Sequence, residues 1–158
     1  MVKQNIGLKV GLIFSVISFL LTFTFLVPIF SVVPGSLLTE TLVSIFVSDN
    51  SNKNIGISTL TILSGITICY ILIILKAVKN IAYKQLLLNK TEIILMMIFF
   101  YFIIHPLCFY IYWALFLNFR GDGQIIFGAV TSFPYSSISF IPLGLLIDFV
   151  WRNEYKKI

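Results

Sequence analysis

Apolar positions in this chain fall into four long blocks, and the polar residues lie mostly between them. The blocks cover residues 10–33, 57–75, 93–117 and 124–147. Each is close to or above the roughly 20 apolar residues that a helix needs to cross the hydrocarbon core of a bilayer. The pattern predicts an all-α integral membrane protein with four transmembrane helices in an antiparallel bundle, all within a single membrane domain over residues 1–158.

The composition supports lipid as the solvent of this fold. Hydrophobic residues make up 59% of the 158 residues and charged residues 11%, whereas ordinary soluble domains carry roughly 25% charged residues. A water-soluble domain of this size could not bury so much apolar surface. The first block is longer than the ~7–15 residues of a signal-peptide apolar region, so we interpret it as a retained first span.

Basic residues are distributed unequally between the predicted loops. Nine of the eleven precede span one, separate spans two and three, or follow span four, and only Lys53 and Arg120 lie in the other two loops. Cytoplasmic loops carry the excess of Lys and Arg, so both termini are predicted to be cytoplasmic (N-in, C-in). Trp113 and Trp151 are expected near opposite membrane faces, as aromatic-belt residues are. Nine Lys against two Arg is typical of AT-rich coding and favours a bacterial cytoplasmic (inner) membrane.

The loops contain two further local signals. In the first external loop, about 34–56, four apolar residues at helical spacing predict a short helix lying at the membrane interface: Leu38, Leu42, Ile45 and Phe46. The segment between spans two and three is expected to continue span two as a helix. Asn89 and Glu92 then have the spacing of a capping box at the start of span three.

Small residues mark the predicted packing faces. Span four carries Gly128, Ser132 and Ser136 at intervals of four, and span two carries a ridge of the same spacing, formed by Thr61, Gly65 and Cys69. Small residues at this spacing let helices approach closely in a membrane. We therefore expect these two spans to pack on each other, and we expect span one, without a comparable ridge in its block, to be more exposed to lipid.

Four prolines interrupt the apolar blocks: Pro28, Pro106, Pro134 and Pro142. Inside a helix, proline removes one N–H and frees the carbonyl four residues earlier. The third and fourth helices are therefore predicted to be kinked. The kinks have two interpretations, either a curved shape that wraps the neighbouring helices or a hinge beside a polar cleft.

His105 is the only histidine, and it lies near the middle of span three. Ionisable residues at that depth normally face the bundle interior. Tyr101, Cys108 and Tyr112 share its helical stripe, and Ser132, Ser136 and Ser139 of span four complete the candidate polar intramembrane site. Charging the ring there is unfavourable, so we expect it to be neutral at pH 7. It is either a structural hydrogen-bonding group or a proton relay or ligand.

The sequence lacks the residues that several kinds of chemistry require. One histidine and two isolated cysteines offer no metal-binding spacing, so no metal and no cofactor are expected. No nucleotide motif is present, no GxSx motif surrounds the serines of span four, and the charges form no nucleic-acid patch. The sequence therefore leans against an enzyme without deciding the question. An acidic residue at mid-depth, normal in ion-coupled transporters, is also absent from the predicted spans.

Three functional hypotheses follow. The first is a non-enzymatic membrane protein that acts through helix–helix contacts, as an accessory subunit or as an immunity-type protein against a pore-forming toxin. Its partners would be the lipid bilayer and either another membrane protein or a second copy. The second is a small oligomeric transporter or channel with a polar path along His105 and the span-four hydroxyls. The third is a lipid-acting membrane enzyme with His105 as its base.

Overall fold

The computed structural model describes residues 5–21, 52–84, 86–116 and 135–156. These ranges are helical apart from short turns and contain no strand. Helix α1 runs from Ile6 to Leu21, α2 from Asn52 to Tyr83, α3 from Lys90 to Phe116 and α4 from Phe140 to Tyr155. Residues 135–138 are also helical and are separated from α4 by a turn at Ser139. The prediction of an all-helical chain is confirmed for the described residues.

Two helices are long and apolar enough to cross a membrane. They are Gly56–Tyr83, with 28 residues, and Lys90–Phe116, with 27. At 1.5 Å per residue each is about 40 Å long, which exceeds the roughly 30 Å hydrocarbon core. α1 is apolar but has 16 residues. Residues 22–33 and 117–134 lie outside the described ranges, and so do the predicted interfacial helix and the predicted kinks at Pro28 and Pro134.

The connection between α2 and α3 follows the sequence signals. α2 continues beyond the apolar block to Tyr83, so the predicted helical extension of span two is confirmed. At the start of α3 the Asn89 side-chain oxygen accepts a hydrogen bond from the Thr91 N–H at 3.0 Å, and the Asn89 carbonyl accepts one from the Ile93 N–H at 3.2 Å. Asn89 therefore satisfies one of the orphan donors of the first turn, as an N-cap residue does.

The two described prolines have different positions in their helices. Pro106 lies inside α3, which remains helical to Phe116. Pro142 lies in the first turn of α4, where a missing N–H removes no intrahelical bond. The first bond of that turn joins the Leu143 N–H to the Ser139 carbonyl at 3.3 Å. Pro142 therefore stands near the beginning of a helix, and the N–H that it lacks would have bonded to the Ile138 carbonyl, directly before the turn at Ser139.

Long-range contacts bring one end of every described helix together. The Lys79 ammonium lies 3.7 Å from the Glu154 carboxylate, and the Trp151 indole donates to the Leu86 carbonyl at 3.2 Å. The Tyr70 hydroxyl donates to the Met96 carbonyl at 2.9 Å. Because only residues 84–89 connect α2 to α3, these two packed helices are antiparallel. We call this end of the bundle the basic end, because it carries Lys76, Lys79, Lys84, Lys90, Arg152 and Lys156.

α4 lies at the centre of the apolar core. Phe140, Ile147 and Trp151 are at most 2% exposed, and the Phe140 ring contacts Phe14 of α1 and Phe100 of α3 at centroid distances of 5.8 and 5.5 Å. Trp151 is also buried: its indole N–H bonds to the α2–α3 connection and its ring stacks on Tyr155. Its predicted place near a membrane face stays a prediction.

Candidate functional site

Four buried polar side chains from three parts of the chain meet in the apolar core. The His105 Nδ1 contacts the Ser136 hydroxyl, and its Nε2 lies 3.3 Å from the Ser18 hydroxyl. The Ser137 hydroxyl donates to Ser18 at 3.0 Å. None of the four side chains is more than 2% exposed. We call Ser18, His105, Ser136 and Ser137 the polar cluster.

The helices position this cluster through their local structure. Tyr101 lies one turn before His105 on α3, and its ring meets the imidazole edge at a centroid distance of 3.9 Å. The Ser139 hydroxyl donates to the Ser136 carbonyl at 2.5 Å and supports the turn between residues 135–138 and α4. A neutral imidazole has one donor and one acceptor nitrogen, so it can bond to hydroxyls on opposite sides. The cluster therefore joins α1, α3 and the segment before α4.

The candidate residues from the sequence have different environments. His105 contacts both Tyr101 and Ser136, and the Ser139 hydroxyl bonds to the backbone carbonyl of Ser136. Cys108 is half-buried against the apolar core, and the Tyr112 ring contacts Phe116 at 4.8 Å. Ser132 lies outside the described residues. The stripe of α3 thus contributes two residues to the polar cluster region and two to apolar packing.

Sequence analysis missed Ser18 and Ser137. Ser137 follows Ser136 directly, and both are buried because the turn at Ser139 brings residues 135–138 against α1 and α3. Ser18 stands in an apolar run, where a hydroxyl needs a partner from another helix or from its own backbone. The hydroxyl of Ser18 in an apolar run therefore indicates a polar contact, but it does not indicate that His105 is the partner.

α1 and α4 approach each other closely at a glycine seam, formed by Gly7, Gly11 and Gly144. A Cβ on Gly7 would lie 2.6 Å from the Gly144 carbonyl oxygen, and one on Gly11 would lie 2.5 Å from the Phe140 carbonyl oxygen. A Cβ on Gly144 would meet the Gly7 carbonyl. The expectation that span one has no packing ridge is therefore wrong. Its ridge begins at Gly7, before the predicted apolar block.

α2 does pack on α4, but not through the ridge predicted for span two, and two residues of the ridge predicted for span four, Gly128 and Ser132, lie outside the described residues. Thr61, Gly65 and Cys69 are exposed, and no described residue comes within 4 Å of a Cβ on Gly65. α2 instead buries the opposite side of its helix, including Leu63, Thr67, Ile74 and Val78. The large apolar residues of that side bury more area than the small ridge would. We call Thr61, Gly65 and Cys69 the α2 ridge.

A second polar site lies where α1 meets α4 at the basic end. The Asp148 carboxylate accepts hydrogen bonds from the N–H groups of Gly7 at 2.9 Å and Leu8 at 2.8 Å. Both carboxylate oxygens thus have backbone partners on α1. Arg152 donates to the Asn5 side chain. Asp148 thus caps the first turn of a distant helix, where its charge also complements the helix dipole.

The chemistry open to the polar cluster is limited by its burial. A serine hydroxyl beside an imidazole is the arrangement that nucleophilic catalysis uses, but both side chains are at most 1% exposed. Within the described ranges no three His, Cys, Asp or Glu side chains could share a metal ion. No known protein family, curated protein or solved structure matches the chain.

Proposed function

We propose that this protein is a small multi-pass membrane protein that acts by binding another membrane helix through the α2 ridge. The partner is a second membrane protein, for which this chain is an accessory or immunity-type subunit, or a second copy of the chain. The observation that carries the proposal is the exposed α2 ridge. Small residues at intervals of four are the usual means by which membrane helices approach closely.

The remainder of α2 supports this role. Large apolar side chains flank the ridge and are also exposed, among them Ile57, Ile68, Leu72 and Ile73. Together they form a continuous apolar surface with a small-residue centre, which is the shape that a partner helix could occupy. The apolar interior of the bundle is already filled by α3 and α4, so the exposed side of α2 is available without unfolding the bundle.

The orientation is part of the same proposal. We propose four spans with both termini in the cytoplasm of a bacterial cell, and the basic end at the cytoplasmic face. The excess of Lys and Arg in the corresponding loops supports this orientation, and the contacts that gather these residues at one end of the bundle are compatible with it.

Cys69 allows a direct test because it lies on the ridge and is exposed. A photoreactive benzophenone maleimide is attached to Cys69 in membranes of the native host, using the Cys108→Ser background, and illuminated. We expect one protein adduct of defined mass, which equals twice the mass of the chain if the partner is a second copy. Gly65→Leu should abolish the adduct by filling the ridge, while Phe99→Leu on the exposed side of α3 should leave it unchanged.

Two results of this experiment would contradict the proposal. If labelled Cys69 gives only lipid adducts, or if Gly65→Leu and Phe99→Leu leave the same protein adduct, then the α2 ridge is not a partner site. Thermal unfolding of each variant in detergent checks that the bundle is intact, since neither substitution changes a buried contact.

A small transporter or channel is a second candidate, because polar side chains of three chain segments meet in the apolar core at His105. Its path would follow the polar cluster, whose members are buried in the described structure. Protein reconstituted in liposomes is tested for proton and ion flux between about pH 5 and 8, the range in which histidine titrates. Flux that His105→Ala removes would favour this candidate over the first, and absence of flux throughout would dismiss it.

A further inference from the structure

A groove of about 820 Å³ opens beside α4 at the basic end. One wall is a single side of α4 that includes Leu145, Phe149, Arg152 and Lys156. Asn5 and Leu8, around the start of α1, also line the groove. We call this feature the α4 groove.

The α4 wall changes from apolar to basic along the helix. Leu145 and Phe149 are 50% and 60% exposed, although α4 has a buried side that could have held large apolar residues. Arg152 and Lys156 follow one and two turns later on the same side of the helix. From residue 145 to residue 156 the helix rises about 16 Å, so an apolar surface and a basic surface adjoin within one groove.

The charge of the groove is positive. Asp148 also lines it, but that side chain is 3% exposed and both carboxylate oxygens accept bonds from α1. The exposed Lys156 ammonium and the half-buried Arg152 guanidinium remain as the charges near the opening. Arg152 also donates to the Asn5 side chain.

We propose that the α4 groove binds an anionic phospholipid. Its head-group phosphate lies between Arg152 and Lys156, and an acyl chain lies along Phe149 and Leu145. Basic pockets between helices near a cytoplasmic face recognise lipid head groups in this way. This inference rests on the membrane location proposed above, but it does not depend on the α2 ridge.

The test uses the purified, delipidated full chain in a neutral detergent. Phosphatidylglycerol, phosphatidylcholine with the same acyl chains and inorganic phosphate are each titrated, and native mass spectrometry measures the bound fraction. We expect phosphatidylglycerol to bind at least about tenfold more tightly than phosphatidylcholine. The free phosphate should not bind in the same range, because the apolar wall contributes to the affinity.

Charge-matched variants identify the site. Arg152→Gln with Lys156→Gln should lower phosphatidylglycerol affinity about tenfold or more, as expected for the loss of two basic groups beside an anion. Lys84→Gln with Lys90→Gln removes the same charge at the same end but outside the groove, and should leave affinity within about twofold. Lys156→Gln alone, an exposed position, should lower affinity several-fold without changing thermal unfolding in the lipid-free protein.

Three results would overturn the proposal: equal affinity for the two lipids, equal losses in the two double variants, or phosphate binding as tight as that of phosphatidylglycerol. The last result would assign the groove to a soluble anion. Cross-linking from Cys69 is measured on the same variants. Loss of lipid selectivity with an intact Cys69 adduct separates failure of this site from failure of the partner surface.

Discussion

Small residues recur at intervals of four on both α1 and α2, yet only those of α1 are buried against another helix of the described chain. In the glycine seam, backbone meets backbone at Gly7 and Gly144. On the α2 ridge, Gly65 is exposed. The spacing of small residues is the same in both helices, so another property must decide which ridge is used inside the bundle.

The polar groups beside each ridge differ. On α1, the N–H groups of Gly7 and Leu8 and the Ser18 hydroxyl have partners more than 80 residues away in the chain. On α2, Thr61, Ser64 and Thr67 each donate to the carbonyl four residues earlier in their own helix. Hydroxyls satisfied by their own backbone require no neighbouring helix. Long-range polar partners therefore specify the α1 contact, and their absence from these three residues leaves the α2 ridge available.

The largest expected effect is the difference between adding one methyl group in the glycine seam and adding one on the α2 ridge. Gly144→Ala should lower the free energy of unfolding by about 3 kcal/mol, because the new Cβ meets the Gly7 backbone and neither helix can move without loss of packing. Gly65→Ala should be neutral or stabilise by up to about 1 kcal/mol, as alanine favours a helix more than glycine does.

Chemical denaturation in detergent micelles measures both glycine variants. If Gly144→Ala and Gly65→Ala lower the free energy of unfolding by similar amounts, the glycine seam and the α2 ridge do not differ in how closely they are packed.

A smaller effect is expected at the cap between α4 and α1. Asp148→Ala should cost about 2 kcal/mol, because it leaves two N–H groups of α1 without their carboxylate. Glu92→Ala, which removes an exposed acidic residue from the first turn of α3, should cost less than about 1 kcal/mol. Unfolding of the two variants is compared under identical conditions. A larger loss from Glu92→Ala would contradict the role given to Asp148.

The smallest expected effect is the difference in stability between two serine substitutions. Ser18→Ala removes a hydroxyl that joins His105 and Ser137, and should cost about 1 kcal/mol, the usual net value of one buried hydrogen-bonding group. Ser64→Ala removes a hydroxyl bonded only one turn away, at 2.8 Å from the Leu60 carbonyl, and should change stability by less than about 0.5 kcal/mol. Equal costs in the denaturation measurement would mean that long-range partners do not separate α1 from α2.

Sequence reasoning succeeded where the determinants are local. The extent of α3, the N-cap at Asn89 and the extension of α2 to Tyr83 follow from apolar length and from residues within one turn of each helix end. The contact between His105 and Ser136 was also anticipated in kind, because a mid-span imidazole needs a polar neighbour and hydroxyls concentrate in the predicted fourth span.

The pairing of helix faces could not be predicted in the same way. The small-residue spacing of Thr61, Gly65 and Cys69 indicates that close approach is possible, but it does not indicate with which helix. On α1 the decisive Gly7 stands before the apolar block, among residues that resemble a loop. The role of Asp148 depends on the free N–H groups of a helix 140 residues away, which no local pattern around Asp148 indicates.

The Asp148 cap has a consequence for how the protein is made. α1 is the first described helix to leave the ribosome, but the groups that complete its first turn and its glycine contacts belong to α4, the last described helix to be synthesised. During translation, α1 is therefore made with two N–H donors and a glycine surface whose partners on α4 do not yet exist. A chain that stops before residue 140 lacks those partners, so premature termination exposes a defect in α1, far from the stop.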